Sequence, residues 1–242
     1  MNLSISAKDR LIFALDLPSR KEAEKYVRLL GESVGCFKVG LELFIKEGPD
    51  IIKMVKENSP ASTFLDLKLH DIPATVSSAL ISAATHEVKF ITIHGSGGKS
   101  ILQTAAEVKN LGLEVLAVTV LTSVSELELE NLGFKENLSL SQLVLNRASE
   151  AEKHGCAGVI CSGEEISSIK RVCRSDFKVV VPGIRHLWAE VRKDDQSRTT
   201  TPKDAILKGA DMIVVGRPIR NAKEPDVAAR KIVDEIRSAF IA

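Results

Sequence analysis

Residues Phe64 to Thr75 read F-L-D-L-K-L-H-D-I-P-A-T and place an acid, a cation and a second acid where an apolar strand runs out. Strand side chains alternate with a period of two, so Asp66, Lys68 and His70 are expected on one face and Leu65, Leu67 and Leu69 on the other. Asp71 follows at the turn. Ile72-Pro73 ends the strand, because proline lacks an N–H and biases the residue before it away from helical angles. Taken alone, the segment has two readings. One is a surface ion-pair network, which is common and worth little. In the other, the leucine face is the outside of a barrel packed under helices, and the charged face looks into the barrel's mouth, where charge is functional or tightly paired.

The surrounding sequence favours the barrel. Strand-like runs occupy 11–17, 36–43, 62–69, 88–94 and 114–121, and their starts recur about every twenty-six residues, as in consecutive β/α units. Three more, at 157–162, 178–184 and 211–216, bring the total to eight. Helical patterns, with apolar residues three or four apart, lie between them at 20–30, 50–57, 75–84, 99–111, 140–153 and 225–240. Eight strands alternating with helices in 242 residues predict a (β/α)8 barrel as one domain over 1–242. A doubly wound open sheet usually has fewer strands, and no G-x-G-x-x-G follows the first strand to support a dinucleotide fold.

Composition narrows the partners. Lys and Arg total 33, Asp and Glu 32, and the two signs are interspersed, so no broad basic surface argues for nucleic acid or a membrane. A small anionic ligand needs only a local patch. Hydrophobic residues, at 44%, suffice for a large core, and no apolar run approaches a membrane-spanning length. The polar start M-N-L-S-I-S-A-K-D-R lacks the apolar centre of a signal peptide, so a cytoplasmic location is expected. Cys36, Cys156, Cys161 and Cys173 form no C-x-x-C pair and are expected as reduced, buried thiols. His70, His86, His94, His154 and His186 are scattered without H-x-x-x-H spacing, so no preformed transition-metal site is expected. His94, at a strand end, joins His70 as a histidine to consider near a site, with a structural role as its other reading.

In such a barrel the carboxyl ends of the strands carry the active site. Asp16, Lys38, Asp66, Lys68, Thr122-Ser123, Pro182-Gly183-Ile184-Arg185 and Gly216-Arg217-Pro218-Ile219 would gather there. Loops after strands seven and eight often bind phosphate, and here each carries glycine for close approach and arginine for bidentate hydrogen bonds to a dianion. A plain turn with a surface arginine is the other reading of residues 216–218. The polar stretch 185–202 is longer than most barrel connections and reads as a lid over a bound phosphate, with Gln196 as an uncharged donor, or as an ordinary solvated loop. Gly95-Ser96-Gly97-Gly98 is a weaker phosphate candidate, since glycine-rich turns before helices are common.

Seven ordered motifs carry a resemblance. They are F-A-L-D ending at Asp16, K-V-G from Lys38, L-D-L-K-L-H-D-I-P through Pro73, V-T-V-L-T-S around Thr122, P-G-I-R ending at Arg185, D-D-Q ending at Gln196, and V-G-R-P-I around Arg217. Over nearly its whole length the chain resembles the orotidine 5′-phosphate decarboxylase family in its compact bacterial form. The resemblance implies a homodimeric (β/α)8 barrel that converts orotidine 5′-monophosphate to UMP and carbon dioxide, without cofactor or metal. It implies that Lys38, Asp66, Lys68 and Asp71 form a charged array, with Asp71 and Thr75 contributed to the partner subunit's site. It further implies that Asp16 and Lys38 hold ribose hydroxyls and Thr122 the pyrimidine region. Gln196, Gly216 and Arg217 would grip the phosphate, with Pro182 and Arg185 beside them. Ala74 and Gly95 depart from the asparagine and alanine frequent in relatives.

Loss of carbon dioxide from C6 leaves a carbanion that the ring delocalises poorly. The resemblance therefore implies that Lys68 stabilises the charge and then protonates C6, with Asp66 and Asp71 holding the ammonium. A magnesium-dependent sugar-phosphate decarboxylase or aldolase of the same superfamily is one rival. Such relatives share D-x-K-x-x-D but carry glutamate at the position of Lys38, where a lysine opposes a metal. A catalytically silent nucleotide-binding barrel is the other, and it would leave a costly cluster of buried charge without a task.

Overall fold

The computed structural model of the protein describes residues 5–131, 133–134, 138–185 and 200–240. Its strands are β1 (Leu11–Ala14), β2 (Cys36–Gly40), β3 (Ser62–Leu69), β4 (Phe90–His94), β5 (Glu114–Val118), β6 (Gly158–Ile160), β7 (Lys178–Val181) and β8 (Met212–Val215). All pair in parallel in chain order, and β8 returns to β1. The (β/α)8 barrel expected from the spacing is the fold.

Around it run α1 (Arg20–Leu30), α2 (Leu41–Glu47), α3 (Asp50–Asn58), α4 (Pro73–Ala84), α5 (Gly98–Glu107), α6 (Glu126–Asn131), α7 (Leu140–Lys153), α8 (Ile166–Val172), α9 (Pro202–Leu207), α10 (Arg217–Arg220) and α11 (Pro225–Ser238). Among the described residues, no helix is long and apolar enough to cross a membrane.

The strands bury both faces, which is why they read as short apolar runs. Alternate residues separate two cores. Ile12, Ala14, Cys36, Phe64, Phe90, Leu116, Val180, Met212 and Val214 fill the barrel. Leu11, Phe13, Phe37, Val39, Leu65, Ile91 and Ile93 pack outward with the helices. Phe64 and Phe90 meet edge to face, with ring centroids 6.0 Å apart, and block the barrel at their level. The four cysteines are buried free thiols.

Four strand expectations are cut back by three residues each, with 114–121 ending at Val118 and 178–184 at Val181. The run 36–43 ends as a strand at Gly40, and Leu41–Glu47 turns helical, burying Leu43 while Leu41 and Ile45 face outward. The alternating letters C-F-K-V-G-L-E-L hide the change of period. Gly48, at φ +65°, ends that helix in the left-handed region open to glycine. The first strand likewise stops at Ala14 rather than at residue 17, although the Leu15 N–H still donates to the Lys38 carbonyl at 2.9 Å.

On β8's amino-terminal side, buried Asp211 ties three elements together. Its Oδ2 lies 2.6 Å from Lys170 Nζ of α8 and accepts the Val179 N–H of β7 at 2.8 Å. Arg10 donates to its carbonyl at 3.0 Å. Asp211→Ala strands the half-buried ammonium and the Val179 amide, so a loss of about 3 kcal/mol in unfolding free energy is expected in urea titrations.

Candidate active site

The charged array sits where β2 and β3 leave the barrel. Lys38 points inward between two carboxylates, 3.0 Å from Asp16 Oδ1 and 3.4 Å from Asp66 Oδ2. Lys68 Nζ donates to Asp66 Oδ1 at 2.9 Å. Asp66 is therefore shared by two ammonium groups, one on each oxygen. Gly40 makes room for the array: a Cβ there would stand 3.2 Å from Lys38 Nζ and 3.3 Å from Asp16 Oδ1.

β3 reaches this arrangement through an irregularity. Leu65 pairs with Ile91 and Leu69 with Ile93, so four steps on β3 match two on β4. Within that excess, Lys68 has φ +52°, the left-handed region that side chains with a Cβ rarely occupy. Two extra residues are an even number, so the expected alternation survives. Asp66 and Lys68 line the cavity, while Leu65, Leu67 and Leu69 pack on the outer core. His70, expected on the charged face, is exposed and stacks on His94, with ring centroids 5.1 Å apart. Burial, and then the neighbouring charges of His70, Arg147 and Lys68, hold the His94 imidazole below its usual pKa.

Burial opposes the charge on both central groups, and the pairing overcomes it. For Asp66, the penalty is outweighed by the charges of Lys38 and Lys68 and by the hydrogen bonds from Lys68 and Thr92, and the carboxyl titrates below its ordinary value of 3.8. For Lys38, Asp66 and Asp16 outweigh burial and hold the ammonium above its ordinary 10.5. The signs set a pH window. The Asp66 contribution to stability is present above pH 3.8 and is lost as pH falls through the lower folded value. The Lys38 contribution is present below pH 10.5 and is lost as pH rises through the higher folded value. The gap in unfolding free energy between wild type and Asp66→Asn is thus expected to stay level near neutrality and shrink below about pH 4. Urea titrations at stepped pH measure it.

The array forms one wall of a cavity of about 480 Å³ at the carboxyl-terminal mouth. Of the residues expected there from sequence, Asp16, Lys38, Asp66, Lys68, Thr122, Pro182, Arg185, Gly216 and Arg217 all line it. Ala14, Phe64, Val118, Val120, Ile160 and Val214 supply an apolar lining suited to a flat ring. Five cations and three carboxylates face the cavity, which favours an anion. Three of the cations, Arg185, Arg217 and Arg220, come from the segments after β7 and β8.

Asp71 and Thr75 are not brought to this cavity in their own chain. Residues 71–75 are all exposed, and Asp71 accepts the Ile72 N–H at 2.6 Å. Gln196, with 186–199 of the expected lid, lies outside the described residues. The stem of that segment is defined: Ile184 bridges to Thr200, and the Arg185 N–H donates to the Thr200 carbonyl at 2.9 Å. A Cβ on Gly163 would come within 2.6 Å of the Thr200 side chain, so that glycine admits the stem against the loop after β6.

Three participants escaped the sequence. Glu42 and Arg220 line the mouth from α2 and α10, short helices that the spacing did not reveal. Arg220 also donates through Nη1 to the Asp16 carbonyl. Thr92, within F-I-T-I-H, is fully buried and bonds to both Asp66 and the Lys68 main chain. A polar residue at an inward strand position was its signal.

A family model described as Orotidine 5′-phosphate decarboxylase / HUMPS family matches residues 9–232. The chain belongs to this family. It is 45% identical over 240 residues to the orotidine 5′-phosphate decarboxylase of Desulfosudis oleivorans, covering 98% of this chain and 96% of that one. It is 44% identical over 239 residues to that of Carboxydothermus hydrogenoformans, covering 96% and 98%. Among solved structures, orotidine 5′-phosphate decarboxylase from Lactobacillus acidophilus superposes with a TM-score of 0.82 at 35% identity, covering 94% of this chain and 99% of that one. The resemblance carried by the seven motifs thus extends to whole chains.

Proposed function

We propose that the chain decarboxylates orotidine 5′-monophosphate to UMP and carbon dioxide in pyrimidine biosynthesis, in the cytoplasm and without metal or cofactor. One observation carries the reading: an ammonium, Lys68, held by a mostly buried carboxylate at the wall of a cavity with three arginines around its mouth. The phosphate lies at Gly216, Arg217 and Arg185, the ribose at Asp16 and Lys38, and the ring by Thr122 and Pro182 over the apolar lining. The bond from C6 to the carboxylate breaks, its electron pair stays on C6, and carbon dioxide departs. Lys68, already ionised and held in place, lowers the energy of that localised charge and then gives its proton to C6. The neutral amine recovers a proton from water.

Lys38 also speaks against the magnesium-dependent chemistry of sugar-phosphate relatives. It stands between Asp16 and Asp66, so the two carboxylates that would attract a cation already share an ammonium. The exposed run 71–75, with Ile72 at 66% exposure beside Asp71, supports a homodimer in which Asp71 and Thr75 complete the partner subunit's site.

The deciding experiment is turnover of orotidine 5′-monophosphate in excess EDTA, followed as UMP formation. Sustained turnover is expected. Silence there, with activity on a sugar phosphate only when magnesium is restored, would overturn the proposal. Arg217→Ala is expected to lower kcat/KM by about 10²- to 10³-fold, because the dianion loses a charge-assisted partner whose binding energy orders the site. Steady-state kinetics on the nucleotide and on a substrate lacking phosphate measure this, the second showing little further loss.

A further inference from the structure

Thr92 lies on β4, inside the barrel, with no exposed surface, and it is not part of the cavity wall. Its hydroxyl makes two bonds. It accepts the Lys68 N–H at 2.8 Å and donates to Asp66 Oδ1 at 3.0 Å. A hydroxyl has one proton to give, and an ionised carboxylate has none, so the direction of both bonds follows from chemistry.

These bonds fall where β3 leaves its regular register with β4 and where Lys68 takes its positive φ. The Thr92 side chain meets the Lys68 amide inside this irregularity, where a side chain with a Cβ gains nothing from a left-handed backbone. The same hydroxyl also fixes the carboxylate. Asp66 Oδ1 receives Lys68 Nζ and Thr92 Oγ1 together, which leaves Oδ2 for Lys38 at 3.4 Å. A rotation of that carboxylate would move both ammonium groups. One buried side chain therefore controls the start of the Lys68 side chain, at its backbone, and the group that receives its end.

We propose that Thr92 is a positioning residue for the decarboxylation, holding the left-handed Lys68 backbone and the rotation of Asp66 so that the ammonium stands at a fixed height beside the reacting carbon. The proposal rests on the function assigned above. Thr92 touches neither substrate nor reacting atoms, so its removal acts on the chemical step and spares the grip on phosphate and ribose.

The test compares Thr92→Val, which keeps the branched shape and deletes the hydroxyl, with Thr92→Ser, which keeps the hydroxyl. Thr92→Val is expected to lower kcat about 10- to 100-fold, the scale of a misplacement near 1 Å, while KM and the dissociation constant for UMP stay within about threefold. Thr92→Ser is expected to recover kcat to within about threefold of wild type. Hydrogen exchange at the Lys68 amide should quicken in Thr92→Val and remain slow in Thr92→Ser. Should the valine variant not fold, Thr92→Cys, with its weak donor and acceptor, takes its place under the same readouts.

Wild-type kcat in Thr92→Val, or equal loss in the serine variant, overturns the proposal. If the wild type itself forms no UMP, the assigned function fails, and exchange at the Lys68 amide alone decides the grip of Thr92. Unchanged exchange in Thr92→Val then refutes it.

Discussion

Lys68→Ala is expected to lower kcat by about 10⁴-fold or more, since the substitution removes two contributions together. A preorganised charge at a developing anion is worth about 10²- to 10³-fold, and a positioned general acid about 10²- to 10⁴-fold. The barrel should tolerate the change. Asp66 keeps Lys38 at 3.4 Å and the Thr92 hydroxyl at 3.0 Å, and Lys68 is itself only half-buried. The dissociation constant for UMP is expected to stay within about threefold of wild type, because the phosphate and ribose contacts lie elsewhere. Retention of more than a few per cent of activity would mean that C6 takes its proton from another group. Single-turnover measurement of UMP formation, beside UMP binding by calorimetry, separates the chemical step from binding.

The second large effect is a recovery. Lys68→Ala and Asp71→Ala are each expected to be nearly silent, yet an equimolar mixture, exchanged through the monomer, should regain about a quarter of wild-type activity. Half of randomly formed dimers contain one chain of each kind. In such a pair, one site draws Lys68 from the Asp71→Ala chain and Asp71 from the Lys68→Ala chain, and is complete. The other site lacks both. The prediction follows from the exposed position of Asp71, outside the cavity that Lys68 lines in the same chain. If Asp71 acted within its own chain, every site in the mixture would carry one defect and no activity would return.

The barrel was legible because burial on both faces imposes a rhythm of short apolar runs, and that rhythm survives errors at single strand ends. The ends were harder to read. In 36–43 the letters alternate through Leu41 and Glu42, yet Gly40 hands the chain to a helix there, and a seven-residue helix offers too few turns to display its period. Glu42 and Arg220 were missed for that reason. The charged residues of the site were legible because Lys38, Asp66 and Lys68 are conspicuous in apolar strands. Thr92 was not, because threonine is at home in any strand, and its part appears only when the irregularity across from it brings a backbone amide and a carboxylate within reach of one hydroxyl.

The even count of extra residues in β3 makes the chemistry separable from the scaffold. Removing Leu67 and Lys68 as a pair would leave Leu65 opposite Ile91, bring Leu69 two positions closer in sequence, and keep every later side chain on its own face. The barrel could close without its proton donor. An odd insertion would have turned the strand inside out and bound the reactive cation to the fold's survival; an even one lets it be gained, moved or lost as a detachable part.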